Sequence, residues 1–293
     1  MKKIKTVFLK QFGKIRDLPS LPTIVTKVNE MLNDPNTTNE SLSRVIEKDQ
    51  AIVFKMLQLV NSVFFGLREK ISTTNEAAII LGFDAIRNIV LSLSTLNLLD
   101  HLLKQKSNDH FKATSFWRHS IGVAVLSRYL AGEAMIGDPE KCFVCGLLHD
   151  MGKLLLAHYF PDDFIQVIEH ARQEGLSYLD AEKTVLPACH PEIGYFIVKK
   201  WEMPTHLANT IFSHHNIQPG ATCFNESIIV NTADGIINSY YADFLNNNTS
   251  PGNIKYGYFA PDARKLLNVW IETAPHWFPK VDILINDALA FFL

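Results

Sequence analysis

A chain of 293 residues, 47% hydrophobic and 20% charged, has the composition of an ordinary globular protein with room for one large core or two smaller ones. Its formal net charge of −2 gives no electrostatic footprint for nucleic acid, so direct nucleic-acid binding is not expected. No apolar run reaches the roughly 18 residues of a membrane-spanning helix. The basic start Met1-Lys2-Lys3-Ile4-Lys5 leads into Lys10, Lys14 and Arg16, so a cytosolic protein without signal peptide or membrane contact is expected.

Helical spacing recurs along the chain and strand alternation does not, which predicts an all-α fold. Leu21, Ile24, Val25, Val28, Met31 and Leu32 mark a first helix stopped by Asn33-Asp34-Pro35. Thr37 with Glu40 reads as a capping box ahead of Leu42, Val45 and Ile46, and Thr73 with Glu76 repeats it ahead of Ala77, Ile80 and Leu81. Between them, Ile52, Val53, Met56, Leu57, Val60 and Phe64 line one helix face, with Gly66 and Gly82 where helices should end. Ile86, Ile89, Val90 and Leu93 line another after Asp84. Phe64-Phe65 is read as core rather than as a partner-binding patch.

The polar stretch from Lys104 to Asp109 predicts a domain boundary, giving domains 1–105 and 106–293. The second half reads as helices over Arg118–Ala131, Glu140–Tyr159, Asp162–Glu174, His190–Trp201, Thr205–Ser213 and Glu226–Tyr240. They are separated by Gly137-Asp138-Pro139 and by Pro161, Pro187, Pro204 and Pro219-Gly220. Asn246 to Gly252 reads as a loop, helices resume after Pro261, and Trp270, Trp277, Phe278, Phe291 and Phe292 are expected to pack the tail onto the domain.

Cys142, Cys145, Cys189 and Cys223 are too few and too scattered for a disulfide framework. Cys142 and Cys145 have zinc-ligand spacing but no second close pair, so they read as core; Cys189, beside His190, is the thiol to look for near a metal.

The chemistry lies in His119, His149, Asp150, His190, His214, His215 and Asp234. Each alone fits a satisfied core residue, but a buried carboxylate beside a buried imidazole needs pairing, protonation or a cation. Together, imidazoles and carboxylates suit iron, manganese or zinc, whereas an all-oxygen set would suit magnesium or calcium. Asp150, next to His149, is placed to bridge two ions. Paired ions roughly 3.5 to 4 Å apart can activate a water and clamp a phosphoryl oxygen, so phosphate-ester hydrolysis is the chemical expectation.

His119, the His149-Asp150 doublet and Asp234, in this order on a helical scaffold, resemble the HD superfamily of metal-dependent phosphohydrolases. Leu18-Pro19-Ser20-Leu21-Pro22, Asn33-Asp34-Pro35, the run Val60 to Gly66 and the run Ala77 to Gly82 are similar to the signature of the HDOD family, an HD-related output domain of bacterial signalling. The likeness covers roughly residues 10 to 240. It implies an N-terminal helical bundle packed on an HD-like helical domain. It further implies that His119, His149, Asp150 and Asp234 hold one ion and that Asp150, His190 and His214 hold a second.

His215 matches a position that serves a third ion in the HD-GYP branch, where a Glu also contributes; Ser115 stands at that place here. Lys153 matches the lysine of the His-Asp-x-Gly-Lys motif, which can bind a substrate phosphate; the other reading is a surface lysine near a helix end. After His214-His215 come Asn216-Ile217-Gln218-Pro219-Gly220, without the Gly-Tyr-Pro element, which argues against cyclic-di-GMP hydrolysis. Two functions follow from the resemblance. One is a two-metal phosphohydrolase acting on a nucleotide or other phosphate ester, with Asp150 and Lys153 as its catalytic residues. The other is a signalling module whose metal site is structural or ligand-sensing and whose N-terminal bundle binds a protein partner.

Overall fold

The computed structural model describes residues 8, 20–32, 34, 36–62, 65–67, 69–105, 111–241 and 254–292. Among them there is no strand, and no helix is long and apolar enough to cross a membrane. They fall into two compact units, one built on Leu102–Trp277 and the other on Pro19–His101 with Phe278–Leu293. Residues 106–109 of the polar stretch read as a boundary lie outside the described residues, as does all of the Asn246–Gly252 loop.

The N-terminal unit contains α1 (Thr23–Leu32), α2 (Asn39–Ile46), α3 (Gln50–Val60), α4 (Thr74–Leu81) and most of α5 (Phe83–Gln105). Ile24, Val25 and Val28 of α1 are buried, as are Leu42 and Ile46 of α2 and Ile52, Met56, Leu59 and Val60 of α3, following the predicted apolar faces. The cap of α2 differs from expectation by one residue. The Thr37 hydroxyl donates to the Met31 carbonyl at 2.6 Å, closing the end of α1. Thr38 is left to cap α2, exchanging bonds with Ser41 in place of Glu40. The box formed by Thr73 and Glu76 stands as predicted.

Gly82 ends α4 with φ 86°. Gly66 does not end a helix, because α3 stops at Val60 and Asn61 then binds the Ile71 backbone in both directions, at 2.7 Å each way. Gly66, with φ 60°, belongs to the loop this clamp closes. Asn33, Pro35 and Phe64 lie outside the described residues; Phe65 is half-buried.

The second unit is built from α6 (Ala113–Ala134), α7 (Pro139–Leu148), α8 (Met151–Tyr159), α9 (Pro161–Glu174), α10 (Tyr178–Val185), α11 (His190–Lys200), α12 (Thr205–Ser213), α13 (Phe224–Tyr240) and the start of α14 (Pro261–Phe292). Helix α6 packs against α7 and α13, α11 against α8 and α12, and α9 against α8 and α10. Trp270 and Trp277 of α14 meet Tyr129 of α6, Trp277 stacked at 5.6 Å and Trp270 edge-on at 6.5 Å, as expected of these two residues of the aromatic tail; Phe278 falls in the other unit, and the side chains of Phe291 and Phe292 lie outside the described residues.

Two departures bear on the site. The segment Glu140–Tyr159, read as one helix, is two: α7 ends at Leu148, and Asp150 turns the chain with φ −98° and ψ 9° before α8 begins. Helix α10 was not anticipated at all, although Ser177 caps it by accepting from the Asp180 amide.

Glycines set how closely these helices approach. A Cβ on Gly146 of α7 would stand 2.9 Å from the Val123 carbonyl oxygen of α6, and one on Gly152 of α8 would stand 2.1 Å from the His190 carbonyl oxygen of α11. Only glycine permits both contacts, and each helix pair it draws together carries site residues.

Candidate metal centre

The break between α7 and α8 places the His149-Asp150 doublet in the interior. Asp150 occupies the N-cap position of α8 but makes no side-chain cap bond there, so its carboxylate is turned inward. Helix α6 brings His119, the first turn of α11 brings His190, the end of α12 brings His214 and His215, and the middle of α13 brings Asp234. All seven residues named from the sequence therefore converge.

They form two groups of potential ligand atoms, each within 4.8 Å of one another: His119, His149 and Asp234, and Asp150, His190, His214 and His215. Cys189 is in neither. The two oxygens of Asp150 face different groups. Oδ2 lies 3.5 Å from His119 Nε2 and 3.3 Å from His149 Nε2, while Oδ1 lies 3.2 Å from His190 Nε2 and 3.9 Å from His214 Nε2. Asp234 Oδ1 completes the first group, 3.2 Å from His119 Nε2 and 3.7 Å from His149 Nε2. The His119 side chain retains 15% exposure and the others of this group are buried, so the site meets solvent on the His119 side.

The imidazoles are held from behind. His149 Nδ1 stands 2.7 Å from the Gly146 carbonyl oxygen and His214 Nδ1 2.6 Å from that of Ile211, so each Nδ1 donates and each Nε2 turns a lone pair inward. His190 Nδ1 is held at 2.5 Å by Glu182 Oε2. Asp150 Oδ1 and the Nε2 atoms of His190 and His214 are buried with no hydrogen-bond partner among the described residues. The 3.2 Å between His190 and Oδ1 is off the line that a hydrogen bond needs. A cation would satisfy lone pairs that converge in a buried site, and this donor set fits a divalent ion of the iron, manganese or zinc kind.

Without such an ion, protons have to supply the positive charge. Burial opposes a charged ring at His149, but Asp150 and Asp234 outweigh it and push the group up to about 10. Burial likewise opposes ionisation of Asp150, and His149 and Lys153 outweigh it, holding the carboxyl well below the usual range. His214 is held well below the usual histidine value by burial and then by His215, and His215 is lowered to about 3 by burial and then by His190. Those two rings stay neutral and keep lone pairs to share.

Lys153 is buried rather than at the surface, with Nζ 2.6 Å from Asp150 Oδ2 and 5.3 Å from the centre of the Tyr178 ring. Glu182, Tyr178 and Asn238 are the neighbours that sequence reading missed. Asn238 Nδ2 donates to Asp234 Oδ1 at 2.8 Å, and Tyr178 lies 6.0 Å from the His190 ring. The Ser177/Asp180 cap was the available signal for α10, which carries both Tyr178 and Glu182.

Known proteins share this fold. An uncharacterized protein of Treponema pallidum (strain Nichols) is 26% identical over 207 residues, covering 70% of this chain but only 39% of that protein. The solved structure of an HDOD domain protein of unknown function from Geobacter sulfurreducens shares the fold at a TM-score of 0.75 and 21% identity, covering 98% of each chain. A candidate metal-dependent phosphohydrolase from Shewanella amazonensis SB2B shares it at 0.63 and 16% identity over 100% of both. The model of the HDOD domain matches residues 18–217, and the chain belongs to the HDOD domain family.

Proposed function

We propose that this protein is a metal-dependent phosphohydrolase that carries two divalent ions and acts on a nucleotide or another phosphate ester. The observation that carries the proposal is the divided carboxylate of Asp150, one oxygen toward His119 and His149 and the other toward His190 and His214. Two ions bound there would supply Lewis acidity to a phosphoryl group and make water more acidic. Asp150 and Asp234 provide the anionic charge that holds the ions. The burial of His149, His190 and His214 keeps bulk water away, and the exposed edge of His119 leaves one side for a substrate. Lys153 keeps an ammonium beside Asp150, a point charge for a phosphate oxygen.

The test is metal analysis of purified protein together with hydrolysis of a chromogenic phosphodiester and a panel of nucleotides. Iron, manganese or zinc at two per chain, with turnover lost in Asp150→Ala, is expected. Protein that takes up no ion from any of these metals refutes the proposal.

One observation favours a second reading, a regulatory module. Phe54, Ile79 and Ile80 of the N-terminal unit are 63%, 65% and 58% exposed, which suits contact with a signalling protein. Bound metal with no turnover on any phosphate ester would assign the chain to that role, with residues 106–293 holding the ions and 1–105 the partner.

A further inference from the structure

Glu182 belongs to no motif that the sequence presents, yet it is wholly buried and makes two bonds to a single residue. Its Oε1 accepts from the backbone amide of His190 at 3.0 Å, and its Oε2 meets His190 Nδ1 at 2.5 Å. That amide opens α11, where no intrahelical acceptor exists, so the first bond fixes where the helix begins. The second fixes the rotation of the ring about its side-chain bonds. Two bonds from one rigid carboxylate to the main chain and the ring of one residue leave His190 Nε2 a single direction, toward Asp150 Oδ1.

The other imidazoles compare instructively. His149 and His214 are backed by neutral carbonyls three residues earlier in their own segments. His190 alone of these three is backed by a carboxylate, delivered from a different helix, α10. An anionic acceptor behind an imidazole raises the donor strength of the opposite nitrogen and holds its tautomer.

We propose that Glu182 is a positioning residue for one ion only, the one taken by Asp150, His190, His214 and His215, and that it makes this group a tighter site than a neutral backing would. The inference rests on the two-ion reading above. Glu182 does not touch the ligand atoms of His119, His149 or Asp234 in any contact described, so its effect should be confined to one ion of the pair.

The experiment is equilibrium dialysis of the full chain against Mn²⁺ and, separately, Zn²⁺, with metal counted per chain by mass spectrometry. Wild type, Glu182→Gln, His190→Ala and the double variant are compared, and the ion-free fold of each is followed by circular dichroism. Gln keeps the shape and can accept from only one of the two N–H groups. We expect Glu182→Gln to hold one ion as wild type does and the other about 10- to 100-fold more weakly. In the His190→Ala background the same change should cost nothing further, because its target is gone.

Retention of both ions at wild-type affinity overturns the proposal, and so does an equal cost with and without His190. Two ions in wild type and in Glu182→Gln alike would remove the role of Glu182 while leaving the two-ion site standing. No ion in wild type would remove both. Should Glu182→Gln not fold, Glu182→Asp, which keeps the charge but shortens the reach by one methylene, must show the same selective loss, and unchanged affinity there overturns the proposal.

Discussion

Gly152→Ala tests whether the close approach of α8 and α11 builds the site. Helix propensity alone predicts a gain of about 1 kcal/mol, since alanine is preferred to glycine inside a helix. The structure predicts the opposite sign. The new Cβ would lie 2.1 Å from the His190 carbonyl oxygen, 2.8 Å from its carbon and 2.9 Å from its Cα, against an ordinary contact of 3.4 Å or more. The obstacle is backbone, so no side chain can swing away and the two helices must part by about 1 Å. Overpacking of that kind costs about 1–3 kcal/mol. After the propensity gain, a net loss of up to about 2 kcal/mol remains, or a fall in Tm of up to about 8 °C for a unit of this size. The same displacement carries His190 away from Asp150 Oδ1, now 3.2 Å distant. Metal distances tolerate only about 0.2 Å, so uptake at the group containing His190 should fall as well. Thermal melts of ion-free protein and metal analysis of dialysed protein read the two effects. A Gly152→Ala protein that melts at or above the wild-type temperature and holds its full complement of ions would refute the steric argument.

Other perturbations separate the remaining interactions. Lys153→Met leaves the buried Asp150 carboxylate without its ammonium and should destabilise ion-free protein by about 3–5 kcal/mol; chemical denaturation with and without Zn²⁺ should show the ion recovering part of that loss, and no recovery would speak against an ion at Asp150. Phe164→Ala removes a fully buried ring that meets Phe111 edge-on at 5.5 Å, and a loss of about 3–5 kcal/mol in denaturant titration is expected. The carboxyl of Glu76 is held below its ordinary 4.5 by the Ser72 amide first, then by the Ser72 hydroxyl and the Thr73 amide. A lowered folded-state value means that this stabilisation is present above the ordinary value and is lost as pH falls through the lowered one. Glu76→Gln should therefore melt below wild type at neutral pH, with the difference closing under strong acid.

Much of this protein is legible in its sequence, for identifiable reasons. Ile24, Val25 and Val28, or Ile52, Met56 and Val60, repeat at helical spacing because one face of each helix is covered, so these helices and their buried faces follow from pattern alone. Site residues were legible because polar groups in apolar runs are conspicuous: His149, Asp150 and Asp234 interrupt stretches that would otherwise be uniform core. Caps were readable in kind but not in register. Thr37 and Thr38 are chemically alike, and the choice between them was made by the Met31 carbonyl at the end of the preceding helix, which the cap pattern does not register. The break at Asp150 was hidden because apolar residues continue in helical phase from Cys142 to Leu156 on both sides of it, and a turn of one residue leaves no compositional mark. Glu182 was invisible for a different reason. A glutamate in the polar run Asp180-Ala181-Glu182-Lys183 looks like a solvated face, and only packing reveals that it is inside.

Ligand atoms reach the centre from α6, from the corner between α7 and α8, from α11, from the end of α12 and from α13. An ion held by that set is a clasp on segments far apart in sequence, and the helices cannot separate until it leaves. Such an arrangement slows opening as well as raising the midpoint of a melt. Unfolding should slow as free metal rises, so that the lifetime of the folded unit records the metal supplied to it; stopped-flow unfolding across a series of buffered Zn²⁺ concentrations would measure that dependence.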